Sequence, residues 1–387
     1  MTRRVLFAGG GTAGHVTPAL ATAAALLALP EVALAGDVEV EFVGTAAKIE
    51  ARMVPEAGYR LHRVVVQPIA RSLTPSTFTA PAAVLAAAYG VARIIRRRDV
   101  VAAAVFGGYV SGPLALAALL TRTPLVIHEQ NAVPGLANRI AARWARHVAA
   151  SVEGTQSRFP HEDRVTVTGN PVRADLLAAA DGARRDEARR DQARAAFGLT
   201  PQRRTLLVFG GSLGARRINA ALVGAGPLLA DLGDVQVLHA TGAGDHARIT
   251  ADWDAAGADL PVTCVPFVDR MDLAYAAADL VLCRAGASTL AELTALGLPS
   301  VLVPYPHSLA DEQTANARAL TRAGAAVLVP DAELDAARLM REVAPLLRDD
   351  EARWRMGAAA RTLGRPDAAQ AVARLITAAA ELGKARS

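Results

Sequence analysis

Short apolar runs alternate along the whole chain with longer, alanine-rich amphipathic segments. Because buried parallel strands read as continuous apolar runs and their crossover helices show helical periodicity, this alternation predicts βαβ units. In the first half the predicted strands lie at 4–8, 38–43, 100–106, 125–128 and 164–168. After Pro171 the rhythm restarts, with predicted strands at 205–209, 235–240, 262–265, 280–283, 300–303 and 326–329. The pattern therefore predicts an α/β protein with two doubly wound parallel sheets.

The two halves carry the same glycine-rich turn between a strand and a helix. VLFAGGGTAGH begins at Val5 and LLVFGGSLGA begins at Leu206, an offset of about 200 residues between the glycines. This repeat predicts two Rossmann-like domains that face each other across a central cleft, where the active site would lie. We expect an N-terminal domain over 1–171, a C-terminal domain over 172–365 and a terminal helical segment over 366–387.

Between the halves, the segment 183–196 alternates arginine with acidic residues. That pattern predicts one solvated helix with ion pairs between successive turns.

Composition limits the class of protein. The chain has 387 residues, of which 52% are hydrophobic and 20% charged, enough apolar surface for two cores and too much for a disordered chain. Its two cysteines cannot form a disulfide framework and lack zinc-site spacing, which favours a reducing compartment. The N-terminus shows no export signal, and no apolar stretch predicts a transmembrane helix.

The net charge of +5 favours an anionic partner. Only 8 Phe, 5 Tyr and 3 Trp occur, and no basic stripe is interleaved with them, so we expect no nucleic-acid partner.

The first glycine turn also matches a dinucleotide-binding pattern through Gly9, Gly11 and Gly14. An NAD site requires an acidic residue at the end of the second strand, but that strand is predicted to end in Gly44 and Thr45. No Gly-Lys-Ser/Thr sequence follows the turn, which excludes a Walker A motif. The pattern therefore argues against both a dehydrogenase and a P-loop enzyme.

His15 follows the turn at the start of the predicted helix. Because a helix N-terminus disfavours the protonated imidazole, His15 is a candidate general base, and the alternative is a histidine that only caps or packs the turn. No histidine pair has the spacing of metal ligands.

In the second half, residues 287–290 are predicted at a helix N-terminus, where free N–H groups can bind a diphosphate. Glu292 could accept hydrogen bonds from sugar hydroxyls, or form a capping box with Thr289. Ser212 could bind phosphate or serve as an N-cap. Arg173 could contact a diphosphate at a cleft edge or lie on the surface.

Two loops of the first half, GGYVSGP at 107–113 and HEQNAVPG at 128–135, follow predicted strands and so lie at the ligand edge of the sheet. They offer His128, Glu129 and Asn131, although Asn and Gly are also ordinary turn residues. The segment 67–99 combines apolar loop residues with a helix that ends in arginines, which suggests contact with an anionic bilayer or, equally, a buried helix with a complemented dipole.

Eight short strings span nearly the whole chain in a fixed order: GGGTAGH, GGYVSGP, HEQNAVPG, GNPVR, GGSLGA, FVDRM, CRAGASTLAEL and DEQTANA. Together they closely resemble the MurG family. The resemblance implies the GT-B fold and an inverting glycosyltransferase of peptidoglycan synthesis. Such an enzyme moves N-acetylglucosamine from UDP-N-acetylglucosamine to the C4 hydroxyl of undecaprenyl-diphospho-N-acetylmuramyl-pentapeptide, converting lipid I to lipid II.

The resemblance also implies site residues. The candidate catalytic residues are His15, as the base that deprotonates the acceptor hydroxyl, and Glu129. The matching donor-side positions are Thr12, Ala13, Gly14, Asn131, Arg173, Ser212, Val268, Ala287, Ser288, Thr289, Leu290, Glu292 and Gln313. The acceptor-side positions are Gly107, Gly108, Tyr109 and His128. Within the donor set the diphosphate is expected at Arg173 and Ser212, the ribose at Glu292 and the uracil at the Val268 backbone.

By the same resemblance, UDP-N-acetylglucosamine is a substrate, and no cofactor or obligatory metal ion is expected. The expected partners are lipid I, the anionic surface of the bacterial inner membrane, where the protein would be peripheral on the cytoplasmic face, and other cell-wall synthesis enzymes. The C-terminal helix is expected to cross back to the first domain.

Two positions depart from the family pattern: Ala13 replaces a glycine, and Glu312 replaces the usual His or Gln. The alternatives are another glycolipid transferase or a nucleotide-sugar epimerase of the same fold, or a non-catalytic nucleotide-sugar-binding scaffold at the membrane.

Overall fold

The computed structural model describes residues 2–34, 36–66, 75–211 and 215–381, with the side chains at 34, 75–82 and 309 left undescribed. The chain forms two compact units, one comprising Met1–Arg173 with Arg365–Ser387 and the other Ala174–Gly364. Each unit is built around its own parallel sheet.

The first unit contains seven strands: β1 Arg3–Ala8, β2 Val38–Gly44, β3 Arg60–Arg63, β4 Val100–Val105, β5 Leu125–Glu129, β6 His147–Ala150 and β7 Val165–Val167. They pair in the order β3-β2-β1-β4-β5-β6-β7, all parallel. Strand order therefore reverses between β1 and β4. In doubly wound sheets, ligands bind beyond the carboxyl ends of the strands at such a reversal.

In the described part of this unit, the helices between the strands are α1 Ala13–Ala28, α2 Pro30–Leu34, α3 Glu50–Glu56, α4 Pro75–Arg97, α5 Ser111–Thr121 and α6 Leu136–Ala141. Both faces of the sheet are covered, as the continuous apolar strands require. On one face Phe7 packs between Phe42 and Phe106, with ring centroids 5.4 and 5.2 Å away.

The second unit contains six strands: β8 Arg204–Phe209, β9 Val235–Ala240, β10 Val262–Val265, β11 Leu280–Cys283, β12 Ser300–Leu302 and β13 Val327–Leu328. Their order is β10-β9-β8-β11-β12-β13, again all parallel, with the reversal between β8 and β11. The loops after β8 and β11 therefore flank the ligand edge of this unit.

Ten helices surround the second sheet: α7 Ala174–Arg185, α8 Glu187–Ala195, α9 Arg216–Gly224, α10 Gly226–Ala230, α11 His246–Ala256, α12 Met271–Ala277, α13 Ala287–Leu296, α14 Glu312–Arg322, α15 Ala336–Arg348 and α16 Asp350–Leu363. Leu206, Ile218 and Leu282 are fully buried in its core. A final helix, α17 Ala368–Ala380, belongs to the first unit, where Val372, Ala373 and Ile376 are buried in the cluster that also holds Phe7.

The predicted fold class is confirmed: both halves are doubly wound parallel α/β structures, and each predicted strand is present. Two strands were not predicted. β3 has the sequence RLHR and lies at the sheet edge, where polar residues are tolerated, while β6 is only four residues long. Neither carries the apolar run on which the prediction depended.

The prediction of one solvated helix over 183–196 is wrong. Asp186 ends α7 and caps α8, accepting a hydrogen bond from the Arg189 N–H at 3.3 Å. Arg184 is partly buried and donates to the carbonyls of Tyr275 and Ala278, at 3.1 and 2.8 Å. Arginine at the last carbonyls of a helix complements its dipole, so this segment holds α12 in place.

Candidate functional site

Two glycine turns of the first unit pack against each other beyond β1 and β4. Gly107 and Gly108 have φ of +99° and +79°, which disfavours any residue with a Cβ. A Cβ on Gly107 would overlap the ring of His15, and one on Gly108 would overlap the carbonyl of Gly10. These two glycines therefore allow the loop after β4 to lie directly on the turn that carries His15.

His15 is the third residue of α1, and Thr12 is its N-cap. The His15 Nδ1 lies 3.0 Å from the Thr12 Oγ1. Burial lowers the pKa of His15, while the Gly10 carbonyl and the charge of Glu50 oppose that shift without reversing it. The imidazole is therefore neutral near pH 7 and able to accept a proton, and it also closes the first turn of the helix.

His128, at the end of β5, is buried, and its ring packs on Phe106 at a centroid distance of 5.6 Å. Its Nε2 lies 3.1 Å from the Ser151 hydroxyl oxygen. Burial is the main reason that its pKa falls to about 4, so His128 stays neutral across the physiological range. The structure thus places this predicted acceptor residue below the surface, next to the polar ends of β5 and β6.

Glu129 holds the loop that follows β5. Its carboxylate accepts hydrogen bonds from the N–H groups of Asn131 and Gly135, both at 3.0 Å, and from the Asn138 side-chain amide at 2.9 Å. Burial raises its pKa, with these hydrogen bonds acting against the shift. Glu129 therefore fixes the position of Asn131, and its catalytic role remains a prediction.

In the second unit, Glu292 lies on α13 and accepts a hydrogen bond of 2.6 Å from the Tyr275 hydroxyl. Tyr275 is fully buried, and burial together with the negative charge of Glu292 raises its pKa well above the usual value. The phenol thus remains a donor at every working pH and sets the orientation of the carboxylate.

The alternative explanation of Glu292 as half of a capping box with Thr289 is wrong. α13 begins at Ala287 and its N-cap is Gly286, which places Thr289 inside the helix and Glu292 on its second turn. The four residues Ala287, Ser288, Thr289 and Leu290 form the first turn, whose N–H groups point toward the helix N-terminus, and the Leu290 N–H donates to the Gly286 carbonyl at 3.0 Å. These groups and Glu292 lie on the same helix, at the ligand edge of the sheet.

The other predicted donor residues belong to both units. Val268 is buried in the loop before α12. Gln313 stands in the first turn of α14, and its side-chain oxygen accepts from the Tyr305 N–H at 2.9 Å. Arg173 is exposed at the end of the first unit's main segment, and Ser212 falls outside the described residues.

Three residues of these sites were not predicted from the sequence: Glu50, Tyr275 and Arg284. Glu50 is buried, and its carboxylate accepts from the Gly11 N–H at 3.0 Å, which occupies an N–H that the dinucleotide pattern would assign to phosphate. Arg284 pairs with Asp331 at 2.5 Å and donates to the Val303 carbonyl at 3.2 Å. The local signal for Glu50 is an acidic residue at the first position of a helix just after β2.

Among the described residues, no group of three or more His, Cys, Asp or Glu side chains could hold a metal ion. Of the helices in the described part of the chain, none is both long and apolar enough to cross a bilayer.

Two family models match the chain. The glycosyltransferase family 28 N-terminal domain matches residues 5–150, and the glycosyltransferase family 28 C-terminal domain matches residues 205–372. A UDP-N-acetylglucosamine–N-acetylmuramyl-(pentapeptide) pyrophosphoryl-undecaprenol N-acetylglucosamine transferase from Moorella thermoacetica is 43% identical over 98% of this chain and 100% of its own length.

Solved structures give the same result. The crystal structure of Acinetobacter baumannii MurG has a TM-score of 0.76 and 31% identity, covering 98% of this chain and 100% of that one. The UDP-GlcNAc 2-epimerase of Neisseria meningitidis, solved with bound UDP-GlcNAc, has a TM-score of 0.68 over 98% of this chain and 100% of its own, but only 13% identity, so it shares the fold alone. The chain belongs to glycosyltransferase family 28 and, within it, to the MurG family of N-acetylglucosaminyltransferases.

Proposed function

We propose that this protein transfers N-acetylglucosamine from UDP-N-acetylglucosamine to undecaprenyl-diphospho-N-acetylmuramyl-pentapeptide, the reaction named for its relatives. One structural observation carries the assignment of donor and acceptor sides. Gly11 and Gly211 have nearly the same φ, +89° and +91°, in equivalent turns. A Cβ at Gly11 would lie 2.8 Å from the Tyr109 ring, whereas at Gly211 no described atom lies within 4 Å.

We assign the diphosphate to the turn of the second unit, where no described atom lies within 4 Å of a Cβ placed on Gly211. The first turn of α13 lies across the β8–β11 reversal from this turn and supplies N–H groups and a positive dipole end. Glu292, oriented by Tyr275, is then available to two adjacent ribose hydroxyls. The second unit therefore binds the UDP moiety in this proposal.

We assign the turn of the first unit, on which the Tyr109 ring packs, to the acceptor side. Direct inverting displacement requires a base for the attacking hydroxyl and stabilisation of the departing UDP. Neutral His15, fixed by Thr12, is the base, while the α13 N-terminus and Arg173 stabilise the leaving diphosphate. These residues leave no step that needs a cofactor, and we expect transfer to continue in the presence of a chelator.

The test is transfer of labelled N-acetylglucosamine from its UDP donor to a lipid I analogue. We expect a labelled disaccharide lipid, with one UDP released for each sugar transferred. Release of UDP without labelled lipid would indicate hydrolysis or another acceptor. Epimerised nucleotide sugar would indicate the reaction of the fold's epimerases, and UDP binding without turnover would indicate a scaffold.

We also propose that helices α4, α5 and α6 of the first unit rest on the anionic inner surface of the bacterial membrane. Their exposed apolar side chains include Leu85, Tyr89 and Leu136, which are 58%, 64% and 70% exposed. Exposed arginines, among them Arg139 and Arg143, lie beside these apolar side chains. A cavity of about 280 Å³ next to α6 has a mixed apolar and basic lining: Leu136, Arg139, Ile140, Arg143, Ser157, Arg158, Phe159 and Pro160. Apolar side chains rimmed by cations are typical of membrane-surface contacts. The sequence-based expectation of membrane contact used the apolar residues 69, 73 and 78 of the segment 67–99. Their side chains lie outside the described part of the chain.

Vesicle sedimentation tests this placement. We expect binding to phosphatidylglycerol vesicles and little binding to phosphatidylcholine. Leu136→Asp should weaken binding without affecting UDP affinity, whereas Trp354→Asp, an exposed apolar position of the second unit, serves as the matched control. Equal loss in both variants would contradict the proposed surface.

A further inference from the structure

The carboxylate of Glu50 joins three loops at the ligand edge of the first unit. Its Oε1 accepts from the Thr45 N–H and hydroxyl, at 3.2 and 2.7 Å, and its Oε2 accepts from the Gly11 N–H at 3.0 Å. The Tyr109 hydroxyl lies 3.5 Å from the Oε1. These contacts connect the ends of β1, β2 and β4, the three strands around the reversal in strand order.

Two glycines, Gly10 and Gly44, provide room for the Glu50 side chain. A Cβ on Gly44 would lie 2.7 Å from the Glu50 Cγ, and one on Gly10 would lie 3.1 Å from its Oε1. Glu50 is 0% exposed, yet all of the donors named above are neutral groups. Burial raises the pKa of Glu50, but the hydrogen bonds from Gly11 and Thr45 outweigh it and give a net lowering, so the carboxylate is ionised at neutral pH.

The Gly10–Gly11 peptide group connects Glu50 to His15. Its N–H, on Gly11, donates to the Glu50 carboxylate at 3.0 Å, and its C=O, on Gly10, acts to raise the pKa of His15. A carboxylate bound to the N–H of a peptide polarises its carbonyl and makes it a stronger acceptor. This arrangement favours the imidazolium that forms when the neutral His15 ring accepts a proton.

We propose that Glu50 is a positioning residue for proton transfer, acting on His15 through the Gly10–Gly11 peptide group. The inference rests on the proposed function, in which His15 is the base. Glu50 does not touch the substrate in this arrangement. Its negative charge stabilises the protonated base in the same way as the carboxylate of a His–carboxylate pair, with one peptide group in between.

Two other titratable groups lie near this relay. His128 on β5 interacts electrostatically with His15, and its pKa of about 4 keeps it neutral above pH 6. Tyr109 packs on Gly11, and burial raises its pKa, so it also stays neutral in this range. Neither group changes charge between pH 6 and 8, so a pH effect of Glu50 in this window is an effect on His15.

The test is the pH dependence of kcat for Glu50→Gln, measured with saturating UDP-N-acetylglucosamine and a lipid I analogue. Loss of the charge lowers the pKa of His15, so the acid limb of the profile should move down by about 0.5–1 pH unit. The weaker base should lower the plateau kcat about 10-fold, with the KM for the UDP sugar within about twofold of the wild-type value.

Thr45→Val is the matched control, since it removes one donor to Glu50 and keeps the charge. If Glu50 only stabilises the loops, both variants should be less stable, and neither should shift the acid limb of the kcat–pH profile. In a His15→Ala background, Glu50→Gln should reduce kcat no further, because the base through which it acts is absent. An unmoved limb in Glu50→Gln, or a further 10-fold loss in the double variant, would overturn the inference.

If Glu50→Gln does not fold, Glu50→Asp provides the second measurement. It keeps the charge but withdraws it from Gly11, so the acid limb should move in the same direction by a smaller amount, and an unmoved limb would again overturn the inference. The single variant His15→Ala separates the two proposals. Wild-type kcat in His15→Ala removes the base assignment itself, whereas a loss in His15→Ala with no shift in the Glu50 variants removes only the role of Glu50.

Discussion

Tyr275→Phe tests how the second unit orients Glu292, the carboxylate that we propose binds the ribose. The substitution removes one hydroxyl, which donates to the Glu292 Oε2 at 2.6 Å, and keeps the buried ring, which packs on Phe209 at a centroid distance of 6.3 Å. A hydrogen bond to an ionised carboxylate is worth about 1.5–3 kcal/mol. Because Tyr275 is fully buried, water cannot easily take the place of the lost donor.

We expect the loss to divide between folding and binding. The free energy of unfolding should fall by about 1–2 kcal/mol, measured by urea denaturation. The Kd for UDP should rise about tenfold, equivalent to about 1.4 kcal/mol, because Glu292 must be reordered when the ribose binds. Isothermal titration calorimetry with UDP measures the second effect.

Tyr59→Phe is the control, since Tyr59 loses the same hydroxyl in the first unit, where its ring packs on Phe42. It should leave the Kd for UDP unchanged. Reduced stability of Tyr275→Phe with an unchanged Kd would refute the ribose assignment of Glu292, and an equal rise in Kd in both variants would refute the reasoning from this contact.

Three further predictions concern the first unit and the buried histidines. His15→Ala should lower kcat about 100-fold or more and leave the Kd for UDP near the wild-type value, and an unchanged kcat would remove the histidine from the mechanism. Gly107→Ala should lower kcat more than it raises the KM for UDP-N-acetylglucosamine, because its Cβ displaces the His15 ring and its φ of +99° is unfavourable for alanine. His128 and His239 are both buried with pKa values of about 4, below the unfolded value. Each therefore contributes stability above pH 6.5, about 3 kcal/mol at most, that is lost as the pH falls from 6.5 to 4. Denaturation midpoints at pH 7 and pH 5 measure this loss, and equal midpoints would contradict it.

The sheets could be predicted from the sequence because their strands are continuous apolar runs. β1, RRVLFA, and β8, RTLLVF, are each mostly buried and carry this signal in full. β3 was missed because an edge strand with the sequence RLHR satisfies its backbone without a buried apolar face. The segment 183–196 was misjudged for a related reason: an arginine can bind the carbonyl end of another helix, as Arg184 does, and composition does not reveal that partner.

The site was predictable where it depends on local geometry. The glycine turn and His15 lie within one strand–turn–helix unit, and the α13 N-terminus follows its strand directly. Glu50 and Gly11 are 39 residues apart, and they meet only because β2 pairs with β1. Tyr275 and Glu292 lie on different helices, 17 residues apart. Such contacts depend on strand order and helix packing, which the pattern of a single chain does not determine.

In the proposed function, the repeated glycine turn serves two chemical roles. Gly11 and Gly211 have the same backbone φ, near +90°. In the first unit Glu50 takes the Gly11 N–H and Tyr109 covers the turn, which leaves a histidine as its reactive group. In the second unit no described atom lies near the Cβ position of Gly211, and the open turn can receive an anion. In this proposal, one turn carries the base and the other binds the nucleotide because neighbouring strands place different side chains next to them. Replacing Tyr109 with alanine would uncover the first turn but leave its N–H bound to Glu50, so we expect no gain of UDP binding there, a result that calorimetry on this variant can check.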